Sequence, residues 1–245
     1  MQQFNAALVN EMTKIFRRRK TVLFCLADIA IILLFVVFNS LSSVDAYMLS
    51  ALGSMFSMHN LFFMLVFPLY IFIETMDIFT GEMDDQTIRN ALVRPVARMK
   101  IYLAKVCAVC TFIFVQILLV GVIWASVSVY LGEKAGNALK NIAAFAISFI
   151  PMIAFVFFAA FVAQIAKNGL IGMLLCIFFL IVSYTTEALA PTAAAFLFTR
   201  HINLHKMLLT GNIQFSGSFS ALLIIVAYIG VTFTAGVLIF EKKEF

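Results

Sequence analysis

ETMDIFTGEMDDQTIRNALVRPVARMKIYLAK, residues 74–105, is the one long polar insertion between apolar runs in this 245-residue chain. It holds ten of the 29 charged residues, five of each sign. Outward from it in both directions the sequence turns strongly apolar, and the whole chain is 64% hydrophobic and 12% charged with a mean hydropathy of +1.07. Soluble domains carry about 25% charged residues, so water is not the solvent of most of this chain. Apolar runs of roughly 20 residues, enough for a helix to cross about 30 Å of hydrocarbon, recur along it. The fold class that follows is an all-α integral membrane protein.

Six runs are expected as spans: 21–38, 55–73 with Pro68 inside it, 106–130, 142–162 with Pro151 inside it, 170–186 and 219–240. Bundles tolerate such prolines because neighbouring helices re-satisfy the freed carbonyls. Residues 187–217 are too interrupted for a span and too apolar for an ordinary loop, and read as helical pieces on or dipping into the outer face. No repeat of 20–50 residues and no low-complexity tract is present, so residues 1–245 form a single membrane domain.

Before the first span, Phe4, Leu8, Met12 and Ile15 fall at helical spacing, with Gln3, Asn10, Glu11 and Lys14 elsewhere on the wheel. Residues 1–20 are therefore expected as an amphipathic helix in the membrane surface, ending in the basic knot Arg17, Arg18, Arg19 and Lys20. The alternative is a solvated basic tail. No small-residue cleavage pattern follows the knot, and Phe35 and Phe38 are bulky where a signal peptidase needs small side chains, so the first span is expected to be retained. Six spans put both termini on one side. Lys and Arg number 13 on the side of the termini and the central segment and four on the other, which places the termini and residues 74–105 in the cytoplasm. The net charge of +5 is accounted for by the anionic inner leaflet, without nucleic acid.

Within the central segment, Gly81 can end a helix, and Glu82, Asp84 and Asp85 supply the negative charge that a new helix favours in its first turn. A short helix over 82–93 would carry Ile88 and Leu92 on one face with Arg89 beside them. Pro95 stops it, because the residue before proline is pushed out of helical angles, and then opens the helix that becomes the third span. Arg94, Arg98 and Lys105 are expected near the headgroups. A short crosswise helix of this kind fits a groove on another protein.

The string GEMDDQTIRNALVRPVARMKIYLAK resembles the cytoplasmic loop of type-2 ABC exporter permeases, with its glycine, Thr87-Ile88 pair, Pro95-Val96, Arg98 and lysine-containing entry into the third span. The resemblance extends to the basic amphipathic N-terminus, the six spans, the segment between spans five and six and the charged tail. Compact size without a large outer domain resembles bacterial exporters of antimicrobial or amphipathic peptides, the phenol-soluble-modulin exporter permeases among them. The resemblance implies a transport subunit of the bacterial cell membrane, paired with a second permease, a copy or a homologue, and docked on two ATP-binding subunits that hold ATP and Mg. It implies that Glu82, Asp85, Thr87, Ile88, Arg89, Leu92, Pro95 and Arg98 form the coupling contact together with the N-terminal helix. No G-x-x-x-x-G-K-[ST] phosphate loop occurs, so the chain itself is expected to hold no nucleotide cofactor. Drugs, lipid-linked molecules and sodium stay open as alternative cargo. A polytopic membrane enzyme or a secondary transporter stays open as an alternative class, though the sequence has neither paired catalytic groups at one depth nor internal repeats.

Inside the apolar runs Asp28 stands out. A carboxylate at a helix centre costs about 2.5–3.5 kcal/mol on insertion scales, so it needs a partner or a wet cavity. A substrate or ion pathway and a pairing with a loop arginine are both open. Phe24, Phe35, Phe56, Met64 and Phe67 are candidate lining for an apolar pathway, against ordinary packing or lipid contact. Glu74 and Asp77 read as interface residues that position the loop, and His59, Asn60 and Gln116 as hydrogen-bonding groups between helices. Cys107 and Cys110 have C-x-x-C spacing inside an apolar run, where packing is the reading. His201 and His205 are at i and i+4 without an H-E-x-x-H pattern or a third ligand, so no metal site is expected.

Overall fold

The computed structural model describes residues 2–41, 55–82, 98–131, 135–204 and 215–242. The regular structure among them is helical, and six helices are long and apolar enough to cross a membrane, as the hydropathy runs require. An N-terminal helix, Gln2–Arg17, breaks at Arg18 and gives way to span one, Arg19–Leu41. Span two fills 55–81 as two α-helical stretches, Met55–Leu61 and Phe67–Met76, each followed by a π-helical turn, Phe62–Val66 and Asp77–Gly81. Span three is one helix of 33 residues, Arg98–Tyr130. Span four is Ala135–Ile147 and Phe149–Ile165, span five Gly169–Leu189 and span six Phe215–Lys242. Between the last two lie a helical turn, Pro191–Ala194, and a 3-10 helix, Phe198–Asn203.

Three span boundaries depart clearly from the hydropathy reading: span four begins at Ala135 rather than 142, and the other two lie at the quoted segment. Span two continues past Ile73 through Glu74 and Asp77 to Gly81, and span three begins at Arg98 rather than Val106. The charges that lower hydropathy there pair with other charges in the fold, so they do not end the helices. Both flanks of the segment are thus helical, and 83–97 lies outside the described residues. At 1.5 Å per residue span three is about 50 Å long, well beyond the hydrocarbon thickness. Its first turns, the ends of spans two and six and the N-terminal helix gather at one end of the bundle, the charged end.

Spans two, three and four form the centre, with 67%, 50% and 56% of their most apolar windows buried against 17–22% for spans one, five and six. Phenylalanine fills it: Phe62, Phe63, Phe67, Phe72, Phe79, Phe112 and Phe155 are fully buried. Two outer helices come close only because a side chain is missing. A Cβ on Gly172 of span five would meet the Met76 sulfur of span two, and one on Gly236 of span six would meet the Tyr102 hydroxyl of span three.

The prolines act as their chemistry dictates. Pro68 has no N–H for the carbonyl one turn back, that of Met64, and the turn preceding it is π-helical. Tyr184 of span five donates its hydroxyl to that Met64 carbonyl at 2.6 Å. In span four Pro151 likewise leaves the Ile147 carbonyl without its helical donor, and the helix breaks at Ser148, whose Oγ lies 2.9 Å from His59 Nε2 of span two. Tyr184→Phe, which strands the Met64 carbonyl, is expected to cost about 1–3 kcal/mol in thermal or denaturant unfolding. The same change in a Pro68→Ala background, where the helix supplies its own donor, is expected to cost measurably less.

Candidate functional site

The flanks of segment 83–97 converge on a closed ring of four charges. Lys14 Nζ lies 2.8 Å from Glu11 Oε1 and 2.8 Å from Glu82 Oε1. Lys105 Nζ lies 2.5 Å from Glu82 Oε2 and 3.4 Å from Glu11 Oε2. Glu11 and Lys14 are one turn apart on the N-terminal helix, Glu82 closes span two and Lys105 stands two turns into span three. The signs alternate round the ring, so it is neutral.

Lys105 is fully buried. Its third ammonium hydrogen goes to the Ile78 carbonyl at 3.1 Å, inside the second π-helical turn, and its charge lies 5.8 Å from the Phe79 ring. All three donors are therefore used, the condition for holding an ammonium away from water. Burial works to raise the pKa of Glu82, but Lys105 and then Lys14 outweigh it and hold the carboxyl below its ordinary 4.5. For Lys14 burial works downward, and its hydrogen bonds to the Glu11 and Glu82 carboxylates outweigh that, leaving it above 10.5.

The signs fix a pH window. Glu82, with a lowered folded pKa, contributes stability above about 4.5 and loses it as pH falls through the folded value; Lys14, with a raised one, contributes below about 10.5 and loses it as pH rises through its folded value. The docking of the N-terminal helix is expected to be flat between those limits and to weaken outside them. Limited proteolysis across the pH range, with a protease active at both extremes, checks this. The side chain of Lys14 is 35% exposed, so its share also falls with added salt, while that of buried Lys105 does not.

A second cluster lies beside the ring. Lys20 Nζ is 2.5 Å and Arg18 Nη1 3.5 Å from Asp77 Oδ2, and Arg18 Nη1 is 3.8 Å from Glu74 Oε2. Neither Glu74 oxygen has a hydrogen-bond partner among the described residues, although the side chain is fully buried. Next to this cluster is a cleft of about 470 Å³ between the start of span one, the end of span two and the start of span five. Its walls include Ile73, Met76, Leu170 and Met173, with Lys20, Asp77, Thr80 and Asn168 supplying polar groups. Asn168 caps span five, its side-chain oxygen accepting from the Ile171 N–H at 2.9 Å.

Several expectations are corrected here. Lys105 is buried in the ring rather than held near headgroups, because Glu11 and Glu82 meet it inside the protein. Glu74 is enclosed rather than interfacial. Within the basic knot, Arg18, half-buried, and Lys20, exposed, pair with acids of span two, while Arg17 and Arg19 are exposed. On the N-terminal helix Ile15 is buried and Leu8 and Met12 pack on the core, so the expected apolar stripe lies largely against protein. Glu11, read as part of the polar face, is buried.

Of the coupling residues, Glu82 is in the ring, and Arg98 donates to the Glu241 carbonyl at 2.9 Å, tying the start of span three to the end of span six. Asp85, Thr87, Ile88, Arg89, Leu92 and Pro95 lie outside the described residues. Among the pathway candidates, Asp28 is fully buried and accepts from Tyr70 Oη at 3.0 Å, where an arginine partner had been one of two readings. Phe24 stacks on Tyr70 with centroids 4.2 Å apart, Phe35 packs edge-on against Trp124 at 5.4 Å, and Phe67 is core. None of these, nor Met64, lines the cleft. Gln116 meets Cys25 across helices, and His201 meets the Ala195 carbonyl at 3.2 Å. The side chain of Phe56 and all of His205 are outside the described residues.

A bundle with six helices long and apolar enough to cross a membrane, and a basic N-terminal helix anchored on both flanks of a polar segment, is the architecture of a multi-pass membrane protein. The sequence profile of the ABC-2 family transporter proteins matches residues 7–183, and the chain belongs to that family. It is thus a membrane subunit of the ABC transporter class, whose members partner an ATP-binding subunit. The match runs from the N-terminal helix into span five and takes in the ring, the Asp77 cluster and Asp28. Among curated proteins no relative matches.

Proposed function

We propose that this chain is the permease subunit of an ATP-driven exporter that moves amphipathic or antimicrobial peptides out across a bacterial cell membrane. It works with a second permease, a copy or a homologue, and with two ATP-binding subunits that hold ATP and Mg and dock on 83–97 and the N-terminal helix. Both termini and that segment face the cytoplasm. Alternating exposure of a path between the two permeases carries the cargo.

The observation that carries the coupling part is the ring of Glu11, Lys14, Glu82 and Lys105. It ties the two flanks of 83–97 to each other and to the N-terminal helix. A displacement applied to the segment therefore reaches spans two and three together, and span one through Arg18 and Lys20. The cleft supports an amphipathic cargo, since apolar walls and a paired acid and base share one space.

The test is reconstitution with a partner ATP-binding-cassette subunit. ATP-dependent accumulation of an amphipathic peptide in inverted proteoliposomes is expected, and Ile88→Asp or Leu92→Asp is expected to lose the ATPase on purification. Full ATPase recovery with both variants would count against docking, and transport of a drug or of sodium without peptide against the cargo.

A further inference from the structure

Asp28 is the tenth residue of span one, about 14 Å along the helix from Arg19 and so close to mid-membrane. It is fully buried, Oδ1 accepts from Tyr70, and Oδ2 has no hydrogen-bond partner among the described residues. Its hydrogen-bond partner Tyr70 of span two is stacked on Phe24 of Asp28's own helix, and Cys25 of that helix bonds to the Gln116 amide of span three. The charges on the same elements, Glu74 with Arg18 and Lys105 with its ring, lie toward the charged end and are engaged with one another. No lysine or arginine among the described residues pairs with Asp28. A bare carboxylate in such a place is very costly, and one tyrosine hydroxyl does not compensate it. A proton on the free oxygen removes that charge without any further partner.

We propose that Asp28 is an intramembrane proton-binding site. Its carboxyl carries a proton on Oδ2 while spans one and two pack as they do here, and gives it up when the seam between them opens to water. The O–H bond breaks, the proton passes to water as hydronium, and the electron pair stays on the carboxylate. Opening of the seam is then linked to release of one proton, so a higher pH favours the open arrangement. The inference stands apart from the identity of the cargo.

Dicyclohexylcarbodiimide, which reacts with protonated carboxyls in apolar surroundings, tests it on the full chain in native membranes, with peptide mass mapping. Asp28 is expected to be modified at about pH 6, with a rate that falls about tenfold per pH unit above its titration point. A water-soluble carbodiimide with an added amine is expected to leave it untouched. Tyr70→Phe removes the hydrogen bond to the charged form and is expected to carry the labelling profile to higher pH. Asp28→Asn identifies the peptide. Absence of label at low pH in folded protein, label from the water-soluble reagent, or a profile that Tyr70→Phe does not move would each overturn the proposal.

Discussion

Lys105→Met is expected to destabilise the protein by about 3–5 kcal/mol, because it leaves two buried carboxylates facing each other. The methionine keeps most of the volume but none of the donors. Glu82 and Glu11 are then left to Lys14 alone, and the Ile78 carbonyl in the π-helical turn loses its ammonium. The midpoint of thermal unfolding measures the loss. Lys105→Met combined with Glu82→Gln, which removes the stranded charge, is expected to recover part of it. No recovery would mean that Lys105 acts through packing rather than charge. In the assembled complex the single variant is also expected to lower ATPase stimulation, since the flanks of 83–97 are no longer pinned together.

Phe198→Ala is expected to cost about 3–5 kcal/mol as well, by a different route, a cavity in a packed aromatic cluster. Phe198 is fully buried, its ring centroid 4.8 Å from Phe155 of span four, 5.8 Å from Phe179 of span five and 5.0 Å from Tyr228 of span six. Spans five and six are less buried than the central spans, and this side chain from the connecting segment joins both to span four, adding to the close contacts at Gly172 and Gly236. Phe196, two residues earlier and 75% exposed, is the control. Its change to alanine is expected to stay within about 0.5 kcal/mol of wild type. Equal losses at both positions in thermal unfolding would rule out the cluster as the cause.

The spans were legible in the sequence because an apolar run of membrane length has few other uses. Their ends near residues 74–105 were not, and the reason lies in pairing. Glu74, Asp77 and Lys105 lower local hydropathy and so read as loop, yet their partners are Arg18, Lys20, Glu11 and Glu82 from other elements. Separations of 57 residues for Lys20 with Asp77 and 94 for Lys105 with Glu11 carry no signal along one sequence. Glu11 and Lys14 were visible only as polar positions on the wheel of the N-terminal helix, with nothing to pair them with Glu82 or Lys105. Asp28 was legible as an anomaly, but its partner Tyr70 was one aromatic residue among many. Pro68 announced a defect in span two without saying which helix would answer it.

The π-helical turn over Phe62–Val66 sets the rotational phase of everything after it. One residue more or fewer in a helix turns all that follows by about 100°. Tyr70 reaches Asp28, Asp77 reaches Lys20 and Glu82 reaches Lys105 on the far side of that turn. Span two is in this sense a keyed shaft: a single deletion within 62–66 would swing all three contacts off their partners at once while leaving the hydropathy profile almost unchanged.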